Sequence, residues 1–364
     1  MANDFVLWGP PVVPSVPGEP RYERDVRRWV GRCQGVGVTK MITGAADPVL
    51  VDAAHEKGID ISPYVDYTAF PSYGSRPATY GWSLAYLRPP VESPEAREIA
   101  DRHRPVWDGP TVGEETLDDF AREHPELWSL TRDGKRELRP GERRYLSLTF
   151  PEVRADKTAR FIAALECSGG ADGIQVEFVL GDEDEHGVTP YGYEEAVAGP
   201  FREQTGRDPF DIANGDLEWL RFRAGYVTLF LKELRQAVAT RFPGTRLTTT
   251  MIAGDPDNYI KVLQDWPSWL DDGTVDELYV WWRTDSDLGR LERQARHVAD
   301  VVAGRCPFIA ELSCYHPGSF QDPELMVEGA RVARANGADA VGVYRSHAVE
   351  QLGLWSALEQ MAKQ

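Results

Sequence analysis

Histidine, cysteine and positive charge are all scarce in this chain of 364 residues. The seven histidines include no HxH or HExxH arrangement, so their spacing gives no sign of a metallohydrolase. The four cysteines, Cys33, Cys167, Cys306 and Cys314, lie far apart with no CxxC pair, which leaves neither a zinc ribbon nor a disulfide framework. Forty Lys and Arg face 58 Asp and Glu, for a formal net charge of −18. A nucleic acid or an anionic membrane needs a cationic surface, so neither is expected as a partner. The acidic residues are spread along the chain, as on a solvated surface. No apolar run approaches the ~20 residues of a membrane-spanning helix, and no basic segment leads into an apolar stretch at the start. The expected location is cytoplasmic, although a trimmed secreted form would read the same.

What the chain does have is a repeating plan. Short β-branched and aromatic runs occur at residues 5–9, 36–43, 59–66, 174–180, 247–252, 277–282, 307–312 and 340–344. Amphipathic stretches stand between them at 21–33, 47–55, 153–165, 216–242, 259–270, 288–302 and 324–335, with a last one at 353–361. Eight strands, each followed by a helix, predict a closed (β/α)8 TIM barrel in one catalytic domain over residues 1–364. No GxGxxG follows the first strand, which argues against a dinucleotide fold. The plan is interrupted once. Residues 67–145 are rich in Pro, Gly, Arg and aromatics, among them Tyr73, Trp82, Trp107 and Trp128. A stretch this long reads as an insertion after the third strand, partly helical near 114–122, that covers the barrel mouth. Its aromatics suit either sugar platforms or a small core of their own, and packing is the commoner use of such rings.

Active sites of such barrels lie at the carboxyl ends of the strands. Those ends carry Trp8, Thr43, Asp66, Glu177, Met251, Trp282 with Arg283, Glu311, and Arg345 with His347. Glu177 and Glu311 sit in apolar strands, where an ionised carboxylate is costly unless it is paired or used. On strands four and seven they face each other across the mouth, and two opposed carboxyls are the minimum equipment for cleaving a glycosidic bond. Arg283 and Arg345 would hold one of them ionised, while Phe178 with Trp281 or Trp282 would dry the other. Trp8, Tyr64, Asp66, Trp281, Trp282, Arg283, Tyr315, Arg345 and His347 are the expected substrate-binding set.

Several of these residues have second readings. Asp66 is either a third site carboxylate or the cap of the following loop. The run Asp182, Glu183, Asp184 and Glu185 either holds a divalent cation or is a solvated loop, and it lacks the ligand spacing of a calcium loop. His316 and His347 are candidates for acid–base groups or metal ligands. No cofactor or metal is expected, and the expected partner is a carbohydrate.

A group of short motifs points the same way. His124-Pro125-Glu126-Leu127-Trp128, Arg132-Asp133-Gly134-Lys135, Tyr145-Leu146-Ser147-Leu148, Pro151-Glu152-Val153-Arg154 and Asp172-Gly173-Ile174-Gln175-Val176-Glu177 occur in that order. Together with Glu277-Leu278-Tyr279-Val280-Trp281-Trp282, they resemble the glycoside-hydrolase-like TIM-barrel families related to α-amylases and α-galactosidases. The resemblance departs at two places. Glu177 stands where those families usually carry Asp, and Ser147 stands where Asp follows their Tyr-Leu. A Glu on strand four with a Glu on strand seven is similar to retaining glycosidases. That likeness implies Glu177 as acid/base and Glu311 as nucleophile, acting on an oligosaccharide or glycoconjugate. A metal-dependent barrel hydrolase built on Asp66 and the acidic run, and a carbohydrate-binding barrel without catalysis, are the rival expectations.

Overall fold

The computed structural model describes residues 4–9, 11–13, 15, 17–44, 46–66, 119–136, 145–177, 184, 186–252, 258–282, 286–315 and 318–364, except the side chains of Asp66, Ile252 and Asn258. Eight parallel strands close into a barrel in sequence order. They are β1 (Phe5–Trp8), β2 (Lys40–Thr43), β3 (Asp60–Asp66), β4 (Gly173–Glu177), β5 (Arg246–Ile252), β6 (Glu277–Trp282), β7 (Phe308–Ser313) and β8 (Ala340–Tyr344). β8 pairs with β1, with Trp8 opposite Tyr344, and this pairing seals the barrel.

The helices are α1 (Tyr22–Gly35), α2 (Pro48–His55), α3 (Asp119–Glu123), α4 (Pro151–Ser168), α5 (Glu195–Thr205), α6 (Leu217–Arg241), α7 (Asn258–Lys261), α8 (Trp266–Asp271), α9 (Leu288–Val302), α10 (Pro323–Ala335), α11 (Ser346–Leu352) and α12 (Trp355–Ala362). Several start on an aspartate that accepts from the first free amides. Asp47 takes Leu50 N at 2.9 Å and Asp322 takes Leu325 N at 2.9 Å, each with proline opening the helix.

Strand alternation splits the core in two. Phe5, Leu7, Met41, Val176, Met251 and Val280 face outward, in the large cluster between sheet and helices. Val6, Trp8, Ile42, Tyr64, Tyr279, Ile309 and Tyr344 form a separate cluster inside the barrel.

The amino-terminal end of the barrel is closed by charge. Lys40, Asp60, Arg246 and Glu277 are the first residues of four strands. Lys40 Nζ lies 2.6 Å from Glu277 and 2.9 Å from Asp4. Arg246 lies 2.7 Å from Asp60 and 3.7 Å from Glu277, and the Tyr279 hydroxyl donates to Glu277 at 3.2 Å. Glu277 is only 5% exposed, so it depends on both cations. One layer higher, Gln175 donates to the Thr250 hydroxyl at 2.5 Å and accepts from Thr248.

The expected helix over 259–270 is two short ones. Leu263 between them has a φ of 60°, and Pro267 opens the second, because proline cannot occupy a helix interior. The expected carboxyl-terminal helix over 353–361 is α12, and the short α11 before it, ended at Gly353 with a φ of 66°, was not expected. α5 was not expected from the sequence, because Gly199 and Pro200 inside it obscure the helical pattern. Of the insertion, residues 67–118 and 137–144 lie outside the described residues, and so does the expectation that it covers the mouth. Its described part packs Trp128 into the outer core and pairs with the rest of the chain through Trp128–Leu146 and Thr131–Tyr191 bridges.

Lys40→Met should cost about 1–3 kcal/mol in urea denaturation, since it strips a charged hydrogen bond from a buried carboxylate. Adding Glu277→Leu should recover part of that loss. An unchanged midpoint for Lys40→Met would refute the role of the charged floor.

Candidate active site

Inward positions at the carboxyl ends of the strands converge on one site. Glu177 ends β4, half-buried, and pairs in register with Asp66 on β3 and Thr250 on β5. Glu311 lies on β7, 1% exposed, and pairs with Trp281 and Gly342.

Burial pushes the Glu311 carboxyl well above the ordinary carboxylate range. The negative charge of Glu177 pushes it the same way, and the Arg345 guanidinium opposes both. The two acids therefore act on each other. Oε2 of Glu311 has no hydrogen-bond partner among the described residues.

Aromatic rings wall this pair. Trp8 stacks on Tyr64 with centroids 4.3 Å apart, and it meets Tyr344 at 4.9 Å. Trp281 lies 5.1 Å from Tyr344, and Tyr315 lies 6.3 Å from it. Tyr64 rests against Gly44, where a Cβ would come within 2.9 Å of its hydroxyl, so only glycine lets the ring lie there. Arg345 is buried at 4% exposure, donates to the Tyr64 hydroxyl at 3.2 Å, and sits over the Tyr344 and Trp8 rings at 5.3 and 5.9 Å. His347 is fully buried, edge-on to Tyr315 at 5.3 Å. Burial, reinforced by Arg345, lowers its pKa well below the ordinary value, so it is neutral and no proton donor at neutral pH.

The structure thus brings together Trp8, Tyr64, Glu177, Trp281, Glu311, Tyr315, Arg345 and His347. Trp282 is a correction. It is the next residue along β6 from Trp281 and so faces the opposite way, donating to Gln294 at 2.8 Å and packing on Phe308 in the outer core. Asp66 is in register beside Glu177, but its side chain lies outside the described residues, as do Phe178, Arg283 and His316. Asp182, Glu183 and Glu185 lie outside as well. Asp184 braces its own loop, accepting from His186 N, Val188 N and Asn214 Nδ2 at 2.9–3.0 Å. Among the described residues no group of three His, Cys, Asp or Glu is placed to hold a metal ion.

Tyr344, which touches three of the site's rings, was missed as a site residue. The alternation Ala340, Gly342, Tyr344 on β8 was the signal that could have found it.

A family model described as glycosyl hydrolase-like 10 matches residues 105–309, more than half of the chain. Among solved structures, the PgaB (BpsB) glycoside hydrolase domain from Bordetella bronchiseptica aligns with a TM-score of 0.64 at 14% identity, over 99% of this chain and 98% of that one. A beta-galactosidase from the Antarctic haloarchaeon Halorubrum lacusprofundi aligns with a TM-score of 0.58 at 12% identity, over 99% of this chain and 57% of that one. One from the psychrophilic Marinomonas ef1 gives 0.55 at 13%, over 94% and 54%. The chain thus spans little more than half the length of these two beta-galactosidases. At such identities the likeness establishes the barrel alone. No curated protein matches the chain.

Because the folded state binds the Glu311 proton more tightly than the unfolded chain does, stability falls as pH rises above the ordinary glutamate value of 4.5. Glu311→Gln should therefore melt several degrees above the parent at pH 7.5, and the gap should narrow toward pH 4.5. Equal melting temperatures at pH 7.5 would mean that the carboxyl is not held in a dry site.

Proposed function

We propose that this chain, which belongs to the glycosyl hydrolase-like 10 family, hydrolyses a glycosidic bond in an oligosaccharide or glycoconjugate with Glu177 and Glu311. The observation that carries the reading is the placement of the two acids. They occupy inward positions at the ends of β4 and β7, near enough for the charge of one to raise the pKa of the other, inside a wall of aromatic rings. Sugar CH faces suit such rings, and a pair of carboxyls is what glycosidic cleavage requires.

Depth supports one division of the roles. The nucleophile must meet the anomeric carbon, whereas the acid must meet the leaving oxygen on the open side. Glu311 lies deep and buried, and Glu177 lies at the half-buried end of its strand. In the proposed sequence Glu311 attacks the anomeric carbon while Glu177 gives its proton to the departing oxygen. Glu177 then takes a proton from the water that releases the sugar, which retains the anomeric configuration. That geometry requires the two carboxyls about 5–5.5 Å apart. Substrate entry must also shift the proton that burial favours on Glu311 toward Glu177. Positive charge developing on the sugar ring favours that shift, since it stabilises an ionised Glu311. Arg345 assists by opposing the raised pKa of Glu311 and by holding Tyr64.

Glu311→Gln should abolish turnover, by ~10^4-fold or more in kcat, while leaving the fold intact. Glu177→Gln should slow substrates with poor leaving groups far more than aryl glycosides with good ones, which need little acid help. It also removes the charge that raises Glu311. On an activated aryl glycoside the acid limb of its pH–rate profile should therefore move to lower pH. Loss of turnover by Glu177→Gln even on the activated aryl glycoside, with activity kept by Glu311→Gln, would reverse the two roles. Sugar binding with no turnover by the parent protein would leave a binding barrel as the reading.

A further inference from the structure

Three tyrosines belong to the buried cluster inside the barrel, Tyr64, Tyr279 and Tyr344. Two of their hydroxyls are committed within the protein. Tyr279 donates to Glu277 in the floor at 3.2 Å, and Tyr64 accepts from Arg345 at 3.2 Å. The third differs. The Tyr344 hydroxyl has no hydrogen-bond partner among the described residues, and it is not among the unpartnered polar atoms that are sealed from water. Tyr344 as a whole is 7% exposed, so a buried ring carries an oxygen that water still reaches.

Register puts this residue next to the buried acid. Glu311 on β7 pairs with Gly342 on β8, and two residues nearer the mouth Ser313 pairs with Tyr344. The side-chain period of two keeps Glu311 and Tyr344 on the inward face, one layer apart. A sugar attacked by Glu311 would lie in that upper layer. Trp8, Trp281 and Tyr315 hold the Tyr344 ring at centroid distances of 4.9, 5.1 and 6.3 Å, with the Arg345 guanidinium 5.3 Å over it. A ring held from so many sides loses little further freedom when a ligand accepts from its hydroxyl. Burial pushes the phenol's pKa up, with Arg345 opposing and Glu177 adding to the rise, so it keeps its proton and can donate at neutral pH.

The surroundings narrow what accepts from it. The negative charge of Glu177 acts on this phenol and disfavours an anion there. An apolar ligand would strip water from the hydroxyl and return no bond. A neutral oxygen suits it, and sugar hydroxyls are such acceptors. We propose that the Tyr344 hydroxyl is a specificity-determining contact, donating a hydrogen bond to one hydroxyl of the sugar unit held against Glu311. The inference rests on the glycosidase reading and adds to it a hydroxyl that the bound unit must carry.

Saturation-transfer NMR of the whole chain with the methyl glycosides of glucose, galactose, mannose and N-acetylglucosamine tests this, followed by the monodeoxy forms of whichever binds best. Tyr344→Phe should weaken that glycoside roughly three- to tenfold, the range of one neutral hydrogen bond. It should leave the melting temperature unchanged, because the free protein makes no bond with the oxygen removed. One monodeoxy form should bind the parent protein more weakly and be indifferent to Tyr344→Phe, which identifies the accepting hydroxyl. A glycoside that binds Tyr344→Phe as tightly as the parent would overturn the contact alone. So would a loss of equal size across the sugar and all its monodeoxy forms, which is the mark of a structural role. Binding by none of the glycosides would count against a sugar at this place altogether, and the contact would fall with the glycosidase reading.

Discussion

Closure of the sheet is the constraint on which everything else rests. Once β8 pairs with β1, every strand is bonded on both sides, and alternate residues must point into a space with no lateral exit. That interior has to be filled from side chains already committed by register. At the amino-terminal end the first residues of four strands fill it with charge, where Lys40 and Arg246 both serve Glu277. Above them Gln175 bonds to two threonines. At the carboxyl end the same parity leaves aromatic rings and two acids, and the site is the last layer of the core.

The electrostatics follow from that layering. An acid on the inward face of a strand cannot reach water as a surface acid can, so Glu311 is held toward its protonated form. Glu177, at the very end of β4, keeps partial contact with solvent. Identical side chains thus acquire different environments from depth alone, which is the condition acid–base division of labour requires. Arg345, at the amino end of α11, brings the compensating charge, and its bond to Tyr64 ties β8 to β3 across the mouth.

Much of the fold was legible because the strands are short, apolar and regularly spaced, with capping aspartates such as Asp47 and Asp322 marking helix starts. Glu177 and Glu311 stood out because a carboxylate inside an apolar run has few bland uses. Adjacent residues were harder. Trp281 and Trp282 look alike in sequence, and only the register that pairs Glu311 with Trp281 decides which one faces in. Tyr344 was hidden for a related reason, since a tyrosine in an apolar strand reads as packing until its neighbours are known. The break between α7 and α8 was signalled by Pro267, but the hydrophobic period ran across it.

The charged floor has a consequence for traffic. With Lys40, Asp60, Arg246 and Glu277 locked across the amino-terminal end, the barrel is a blind well. A chain cannot thread through it from end to end, so anything that reaches the two acids comes from the carboxyl-end side. Whatever is released has to leave by the opening through which it came. Under the proposed reaction, a departing fragment and an arriving one would share the same doorway.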